Sequence, residues 1–233
     1  MDLESLIELD RQLLLMLNGS PSLFLDGLVK TLTSALTWIP LYLSLFYIVL
    51  KNKDTASQIA LIVVSVVVCL ILTGTVDDVI VKPLVGRWRP THDPVIGSVV
   101  DIVNDYRGGR FGFFSAHACN TFGIAVFFCW LVRSSLLSTA LVLWSLINCW
   151  TRLYLGVHFP GDILCGLIWG AIIASIVYFI YYRLNCRLFG GNRFVSSQYT
   201  RTGFLRADAD IVVSVLLLTF IYAMLRACLF LYV

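Results

Sequence analysis

The amino-acid sequence predicts an all-α membrane protein, and three observations support that fold class. Apolar residues make up 59% of the 233 residues, and the mean hydropathy is +0.87. Charged residues make up only 13%, about half of the ~25% that soluble domains carry. The apolar residues also gather in stretches of about 20 residues, the length that an α-helix needs to cross a bilayer. A soluble enzyme and a disordered chain are both excluded, because neither combines high hydrophobicity with so little charge.

The chain begins with a predicted amphipathic helix at residues 3–17. Leucine and isoleucine side chains share one face of this helix and acidic side chains share the other, a pattern typical of a helix that lies in the membrane interface. Asn18, Gly19 and Pro21 then supply the turn chemistry that ends it. We therefore expect residues 1–20 to form an interfacial helix that precedes the first membrane span.

Six transmembrane helices follow in the sequence. They are expected at residues 31–50, 56–76, 113–132, 134–150, 163–182 and 211–233. Five tryptophans near span ends or on lipid faces are expected to anchor these helices in the interface. These are Trp38, Trp130, Trp144, Trp150 and Trp169. No repeat or change of composition divides the chain, so we expect one membrane-embedded domain over residues 1–233.

Composition also limits the partners and cofactors. The formal net charge is only +3 and no long basic run occurs, so we expect no nucleic acid partner. The seven cysteines lie almost entirely in apolar stretches and form no CxxC pair. We interpret them as small buried hydrophobic residues rather than as disulfides or metal ligands. We expect the protein to use no cofactor.

Alternation of the spans brings three polar clusters to one face of the membrane. The clusters are residues 82–90 after the second span, 114–117 at the start of the third, and 151–162 between the fourth and fifth. Consecutive spans cross in opposite directions, so these four span ends lie on the same side. Ionisable side chains at membrane depth are costly and usually functional. This face is therefore the candidate site.

Cations dominate the candidate site. Lys82, Arg89 and Arg152 suit an anion with several oxygens, and the arginine fork matches phosphate in particular. Ser115 is the expected N-cap of the third span, and Pro160 is an expected first-turn residue of the fifth. Free backbone N–H groups at two helix starts then face the same anion. The cluster is interpreted as a phosphate-binding site.

Two histidines and an aspartate are expected to divide the catalytic work. Asp162 follows His158 by four residues, close enough for its carboxylate to hold one ring nitrogen while the other attacks phosphorus. His117 lies on a different helix and is expected to protonate the departing oxygen. A metal site built from these three side chains is the alternative, but the neighbouring cations would repel a divalent metal ion. We therefore expect metal-independent phosphoryl transfer.

Three short motifs in the candidate site have the order and spacing of a known family. They read Lys82-x6-Arg89-Pro90, Ser115-Ala116-His117 and Arg152-x5-His158-x3-Asp162. They resemble the signature motifs of the type 2 phosphatidic acid phosphatase (PAP2) superfamily. The resemblance implies a six-helix membrane core, metal-independent hydrolysis of a lipid phosphate, and a phosphohistidine on His158 with Asp162 as its partner and His117 as the acid. It implies phosphate binding by the other motif residues, which are Lys82, Arg89, Ser115, Ala116 and Arg152.

Three positions depart from the usual family pattern. Phe114 and Ala116 stand where the second motif usually has proline and glycine, and Thr151 stands where the third usually has serine. Ala116 keeps its backbone N–H and Thr151 keeps a hydroxyl. Because no group that performs chemistry is lost, we expect activity to be retained and the fit to the substrate to differ.

Several polar residues near the motifs receive a structural interpretation. Arg87 and, in the last span, Arg226 are interpreted as cations that snorkel to the interface. Asp78, four residues before Lys82, is expected to orient it. Loop 91–112 is either a lid that selects the lipid headgroup or a plain connector.

The distribution of Lys and Arg predicts the orientation. With the three candidate site cations set aside, the excess falls in the loops near residues 51, 133 and 183–206. The positive-inside rule puts those loops in the cytoplasm. The site and both termini then face the extracytoplasmic side, and the resemblance to bacterial members of the superfamily implies the inner membrane.

The small size and compact loops resemble bacterial members of the superfamily, and the sequence itself does not choose among their lipid substrates. Of these substrates we expect undecaprenyl diphosphate. Lipid A carrying a 1- or 4'-phosphate, phosphatidylglycerol phosphate and phosphatidic acid are the alternatives. An anion-binding membrane transporter is the alternative of a different class. A transporter usually carries polar or broken-helix features across its depth, whereas the polar residues of this chain collect at one face.

Overall fold

The computed structural model describes residues 3–190 and 197–231, which form eight helices and no extended strand. The helices are α1 (Leu3–Leu17), α2 (Leu23–Thr33), α3 (Ile39–Asn52), α4 (Ala56–Val85), α5 (Ala116–Val132), α6 (Ser135–Tyr154), α7 (Pro160–Phe189) and α8 (Arg206–Phe230). The predicted all-α class is confirmed. Part of the expected cytoplasmic loop, including Arg193, and the last two residues of the sixth expected span lie outside the described residues.

Within residues 3–190 and 197–231, five helical segments are long and apolar enough to cross a membrane. They contain α3, α4, α6, α7 and α8. The remaining predicted span corresponds to α5, which is apolar and 17 residues long. At a rise of about 1.5 Å per residue α5 reaches roughly 26 Å, close to the ~30 Å of a hydrocarbon core.

The first predicted span, residues 31–50, begins too early. The structure ends α2 at Thr33, leaves Ser34 extended, and passes through a short 3-10 turn into α3. Pro40 lies in the first turn of α3, where its missing N–H costs nothing and its fixed φ favours a helix start. The helix therefore restarts near Pro40, and α2 forms a separate element ahead of the first span.

The second predicted span, residues 56–76, ends too soon. Helix α4 continues to Val85, with π-helical turns at Ile71–Thr75 and Asp77–Val81. In the sequence, two consecutive acids at positions 77 and 78 favour an earlier end of the membrane segment. The extra turns instead carry Asp77 and Lys82 into the protein as a buried pair.

Glycines allow α5 and α7 to approach closely, and this contact positions two of the three motifs. A Cβ on Gly166 would lie 2.8 Å from the Ser115 carbonyl oxygen, and a Cβ on Gly170 would lie 2.6 Å from the Cys119 carbonyl oxygen. Small residues permit such backbone approach between membrane helices. The second motif is therefore held directly against the start of α7.

Two of the tryptophans expected at the membrane interface are core residues. Trp38 is 3% exposed and Trp144 is fully buried, and their rings meet edge to face at 5.6 Å. The Trp38 indole N–H donates to the Leu32 carbonyl oxygen at 2.8 Å. That bond satisfies the polar atom of the ring and allows it to be buried. Trp130, in contrast, is exposed as expected.

Helix α1 has the predicted bounds and packs against the rest of the protein. Leu14 is fully buried in a cluster with Ile96, Val100 and Phe159. On the same helix, an Asp10 carboxylate oxygen accepts from the Gly161 N–H at 2.7 Å. The helix therefore covers the start of α7, next to the third motif.

Candidate active site

The three polar clusters meet at one end of the helical bundle, as the alternation of spans predicts. His117, in the first turn of α5, lies within electrostatic range of Arg152, His158, Arg89 and Lys82. The Ser115 N–H donates to the Asp162 carbonyl oxygen at 3.1 Å, which joins the second motif directly to the third. All eight candidate residues of the motifs lie in this region.

His158 lies in the turn between α6 and α7 and is only 2% exposed. Its Nε2 lies 3.2 Å from Arg89 Nη1. A guanidinium can only donate, so Nε2 accepts, and the proton of the neutral ring belongs on Nδ1. Nδ1 faces Asp162 Oδ2 at 3.6 Å, slightly beyond hydrogen-bond distance. The geometry leaves the Nε2 lone pair directed at a cation.

The environment of His158 favours its neutral form. Burial lowers the pKa of His158 from 6.5 to about 4, and the positive charge of Arg89 acts in the same direction. The carboxylate of Asp162 opposes both effects. At neutral pH the imidazole therefore carries an available lone pair, which a nucleophile requires.

Asp162 is completely buried and held by several donors. Its Oδ2 accepts from the Phe159 N–H at 3.0 Å, and its Oδ1 accepts from Arg87 Nη1 at 2.7 Å. The first bond closes the first turn of α7, because the carboxylate takes an N–H that has no partner inside the helix. The second bond supplies a neutralising charge to a buried carboxylate.

The interpretation of Arg87 as a snorkelling cation is wrong. The guanidinium bridges two carboxylates, with Nη1 on Asp162 and Nη2 on Asp10 at 2.5 Å. It also lies 4.4 Å from the centroid of the Phe159 ring, in cation–π range. Arg87 therefore joins α1 to the start of α7. The sequence offers no signal for this contact, because Asp10 and Asp162 are 152 residues apart in the chain.

Arg89 is fixed by the backbone of both neighbouring loops. Its Nε donates to the Phe111 carbonyl oxygen at 3.1 Å, and its Nη1 also reaches the Val157 carbonyl oxygen at 3.2 Å. These bonds hold the guanidinium next to His158. Rigid placement of this kind lowers the entropic cost of binding an anion.

Arg152 is 1% exposed, which is unusual for an arginine. Its Nε donates to Thr151 Oγ1 at 3.2 Å. Its Nη2 is buried and, among the described residues, has no hydrogen-bond partner. A buried guanidinium nitrogen without an acceptor is costly, so this atom marks a place for an anionic oxygen.

Lys82 forms ion pairs with two acids of its own helix. Its Nζ lies 2.8 Å from Asp77 Oδ2 and also contacts the carboxylate of Asp78. The contact with Asp78 agrees with the predicted orienting role. Asp77 is fully buried, although its position in the sequence is equally compatible with a solvated side chain. Two carboxylates of the same helix therefore contact the Lys82 ammonium group.

The second motif presents the start of α5 to these cations. Ser115 is the N-cap, as predicted, and its Oγ accepts from the Ala118 N–H at 3.4 Å. Ala116 and His117 follow as the first residues of the helix, whose N–H groups have no intrahelical acceptor. Backbone donors and the partial positive charge of a helix start therefore face the site.

Loop 91–112 packs on the candidate site along its second half. The Arg89 N–H donates to the Arg110 carbonyl oxygen at 3.1 Å, and the Thr91 hydroxyl donates to the Arg107 carbonyl oxygen at 2.8 Å. The Tyr106 side chain is an electrostatic neighbour of both Arg89 and Arg152. The loop therefore contacts the candidate phosphate ligands directly and does more than connect two helices.

Comparisons with known proteins agree with this geometry. A family model described as the PAP2 superfamily matches residues 61–186. A protein named lipid A 4'-phosphatase from Bacteroides thetaiotaomicron is 42% identical over 187 residues, which cover 80% of this chain and 83% of that protein. A protein of the same name from Porphyromonas gingivalis is 30% identical over 192 residues, covering 82% and 80%. No solved structure matches this chain.

Proposed function

Because the chain belongs to the PAP2 superfamily and is a membrane lipid phosphatase, we propose that its substrate is the 4'-phosphate of lipid A. The names of the two related proteins support this choice. The proposal replaces undecaprenyl diphosphate, the substrate expected from the resemblance to bacterial members of the superfamily, by one of its alternatives. The reaction is the hydrolysis of a phosphate monoester.

One observation carries the mechanism: a buried, neutral histidine faces the fixed guanidinium of Arg89, which lies within electrostatic range of a second arginine, Arg152. His158 Nε2 accepts from Arg89, and the nearby Arg152 keeps a buried nitrogen without an acceptor among the described residues. A phosphate that enters here can take the Arg89 N–H from His158 and the free N–H of Arg152. Its phosphorus then lies in front of the released Nε2 lone pair.

The first chemical step transfers the phosphoryl group to His158. Nε2 attacks phosphorus, the bond between phosphorus and the sugar oxygen breaks, and His117 donates a proton to that oxygen. The Nδ1 proton of His158 moves toward Asp162, whose carboxylate stabilises the positive imidazole. Lys82, Arg89 and Arg152, with the Ser115 hydroxyl and the Ala116 N–H group, neutralise the charge on the phosphoryl oxygens.

The second step regenerates the histidine. A water molecule attacks phosphorus, His117 takes one of its protons, and the bond between phosphorus and Nε2 breaks. The electron pair returns to Nε2, and inorganic phosphate leaves. The proposal needs no metal ion, because the cations of the chain supply the positive charge.

Phosphate release from a panel of lipids tests the substrate. The purified protein in detergent receives lipid A with its 4'-phosphate, lipid A phosphorylated only at position 1, undecaprenyl diphosphate, phosphatidylglycerol phosphate and phosphatidic acid. We expect the fastest release from the 4'-phosphorylated lipid A. Faster release from undecaprenyl diphosphate would overturn the proposed substrate.

Variants of the three histidines test the mechanism. We expect His158→Ala to lower kcat by about 1,000-fold or more, as loss of a nucleophile does, and His117→Ala to lower it by roughly 100-fold or more. His92→Ala is the matched control, because His92 lies in the loop and contacts Thr91. Wild-type rates in His158→Ala would contradict the nucleophile, and loss of activity in EDTA would contradict the metal-independent reaction.

A further inference from the structure

A cavity outside the candidate active site opens between α2 and α8. Its volume is about 1020 Å³, and the 3-10 turn before α3 and Pro40 of α3 also line it. Helix α8 contributes residues at mostly three- or four-residue spacing, from Val215 to Leu229, so one face of its C-terminal part lines the cavity. None of the motif residues lines this cavity.

Two cations from different helices lie at this cavity. Lys30, in the last turn of α2, and Arg226, near the end of α8, both line it, and both side chains are exposed. Within the described part of the chain, no carboxylate lies within 4 Å of the Arg226 guanidinium. The two cations therefore come from different helices and lie at the same cavity.

Both cations lie toward the membrane face that holds the active site. Helix α2 packs on the end of α6, because Tyr154 Oη donates to Asp26 at 2.6 Å and Thr33 Oγ1 donates to Thr151 Oγ1 at 3.3 Å. Helix α8 begins at the opposite face, where Asp208 accepts from Asn52 at the end of α3. Its far end, with Arg226, therefore returns to the active-site face.

Apart from a few hydroxyl groups, the rest of the cavity is suited to a hydrocarbon chain. Three of these hydroxyls donate to backbone carbonyl oxygens, namely those of Thr31, Thr37 and Thr219. Leu36, Leu218 and Tyr222 line it and are all largely exposed in the protein. Val215 lies 11 residues before Arg226, which corresponds to about 16 Å along the helix. One leaflet of a bilayer has about the same depth, since the whole hydrocarbon core measures ~30 Å. The cavity is thus cationic at the membrane boundary and apolar toward the middle of the bilayer.

We propose that this cavity is a second lipid site, which binds an anionic phospholipid separately from the catalytic centre. The phosphate lies between Lys30 and Arg226, and one acyl chain follows the apolar face of α8. Charge complementarity favours an anionic headgroup, because an arginine and a lysine together match a phosphate. The depth of the cavity favours a lipid over a soluble anion.

Native mass spectrometry of the delipidated protein in a neutral detergent tests the proposal. The probes are phosphatidylglycerol and phosphatidylcholine with identical acyl chains. We expect the wild type to retain phosphatidylglycerol at least about tenfold better, and the double variant Lys30→Gln/Arg226→Gln to lose that preference. The matched control is Lys51→Gln/Arg183→Gln, which removes two exposed cations at the opposite face and is expected to keep it.

Two further variants distinguish this cavity from lipid binding at the catalytic centre. Leu218→Trp fills the cavity with a larger side chain at a position that is 64% exposed, and we expect it to weaken retention without unfolding the protein. Arg152→Gln removes a cation of the catalytic centre and is expected to leave retention unchanged. The proposal is wrong if Arg152→Gln abolishes binding while Lys30→Gln/Arg226→Gln does not. It is equally wrong if the two lipids bind alike, or if the matched control loses the preference.

Discussion

At the scale of single residues, the proposed catalytic centre depends on how a few buried charges are paired. His158, Asp162 and Arg152 are each at most 2% exposed. A low local dielectric therefore strengthens the charge interactions of Asp162 and Arg152 and the hydrogen bond of the neutral His158. Asp162 is neutralised by Arg87, which is itself paired with Asp10 of α1. The three motifs therefore act together with two residues that belong to none of them.

Arg87 and Asp10 are positioning residues, because they contact Asp162 and the start of α7 rather than His158. We expect Arg87→Lys to lower kcat by about tenfold, which corresponds to about 1.4 kcal/mol, and to change KM little. A lysine cannot bridge both carboxylates with the arginine fork. Steady-state kinetics on detergent-purified protein measures the change.

A double-mutant cycle separates this role from general destabilisation. Asp10→Asn and Arg87→Lys lie in one hydrogen-bonded chain, so their effects on kcat are expected to be less than additive. Arg11→Gln is a suitable comparison on the same helix, because Arg11 pairs with Asp93 instead. If the losses of kcat are additive, or if Arg11→Gln lowers kcat equally, the positioning of Asp162 by Arg87 and Asp10 is contradicted.

The lowered pKa of His158 makes the stability of the protein depend on pH. The folded pKa is about 4 and the ordinary value is 6.5, so the unfolded chain takes up this proton first as the pH falls. Stability from this group is complete above pH 6.5 and is lost between pH 6.5 and 4. The full loss is roughly 3 kcal/mol.

Thermal unfolding at a series of pH values measures this dependence. We expect His158→Asn, which carries no titratable ring, to lose less stability than the wild type between pH 6.5 and 4. Titrating groups that do not interact with His158 contribute equally to both proteins, so the difference reports on His158 and its immediate partners. Parallel curves for the two proteins would show that the folded histidine titrates normally.

At the scale of helices, the approach of α5 to α7 brings the second and third motifs together. Glycine at positions 166 and 170 removes the side chains that would separate the two backbones. The same approach allows the Ser115 N–H to reach the Asp162 carbonyl oxygen. Close helix packing is therefore a condition for the geometry of the site.

Replacement of Gly170 by alanine tests this contact. A methyl group there would lie 2.6 Å from the Cys119 carbonyl oxygen and 3.2 Å from the Gly123 nitrogen. In an ordinary helix interior, replacing glycine with alanine raises stability by about 1 kcal/mol. At Gly170 overpacking is expected to reverse that effect and lower the stability of the protein by roughly 1–3 kcal/mol. The melting temperature and kcat are both expected to fall.

Gly109→Ala is the matched control for this variant. A Cβ at Gly109 would have no heavy atom within 4 Å, so the melting temperature should stay unchanged. A melting temperature of Gly170→Ala at or above that of the wild type would refute the close contact between α5 and α7.

At the scale of the whole molecule, the helix directions determine which groups share a membrane face. The end of α8 and the N-terminal helix α1 lie at the same face as the catalytic centre, since α1 packs on the start of α7. The charge distribution in the sequence predicts that this face is extracytoplasmic.

A reporter fused after the last residue tests this orientation. We expect a reporter that is active only outside the cytoplasm to be active there, and the same reporter inserted between Lys51 and Ala56 to be inactive, because that loop lies at the opposite face. The reverse pattern would place the active site in the cytoplasm and would contradict the positive-inside assignment.

The sequence by itself determined the fold class, most of the helix positions and the candidate catalytic residues. Ionisable side chains inside a membrane are costly, so the few that occur are usually functional. Alternation of the spans then brings distant motifs to one face of the membrane. These arguments need only the order and spacing of residues. They account for His117, His158, Asp162 and the cations around them.

Only the tertiary structure revealed the contacts made between elements that are far apart in the chain. The bridge from Asp10 through Arg87 to Asp162, the burial of Asp77 and the core position of Trp144 all depend on which side chains face one another across packed helices. The hydrophobic periodicity of the sequence shows which face of a helix is apolar, but it does not show which residue of another helix that face contacts. The partner of a charge is decided by three-dimensional packing, because desolvation makes a buried charge depend on its neighbours.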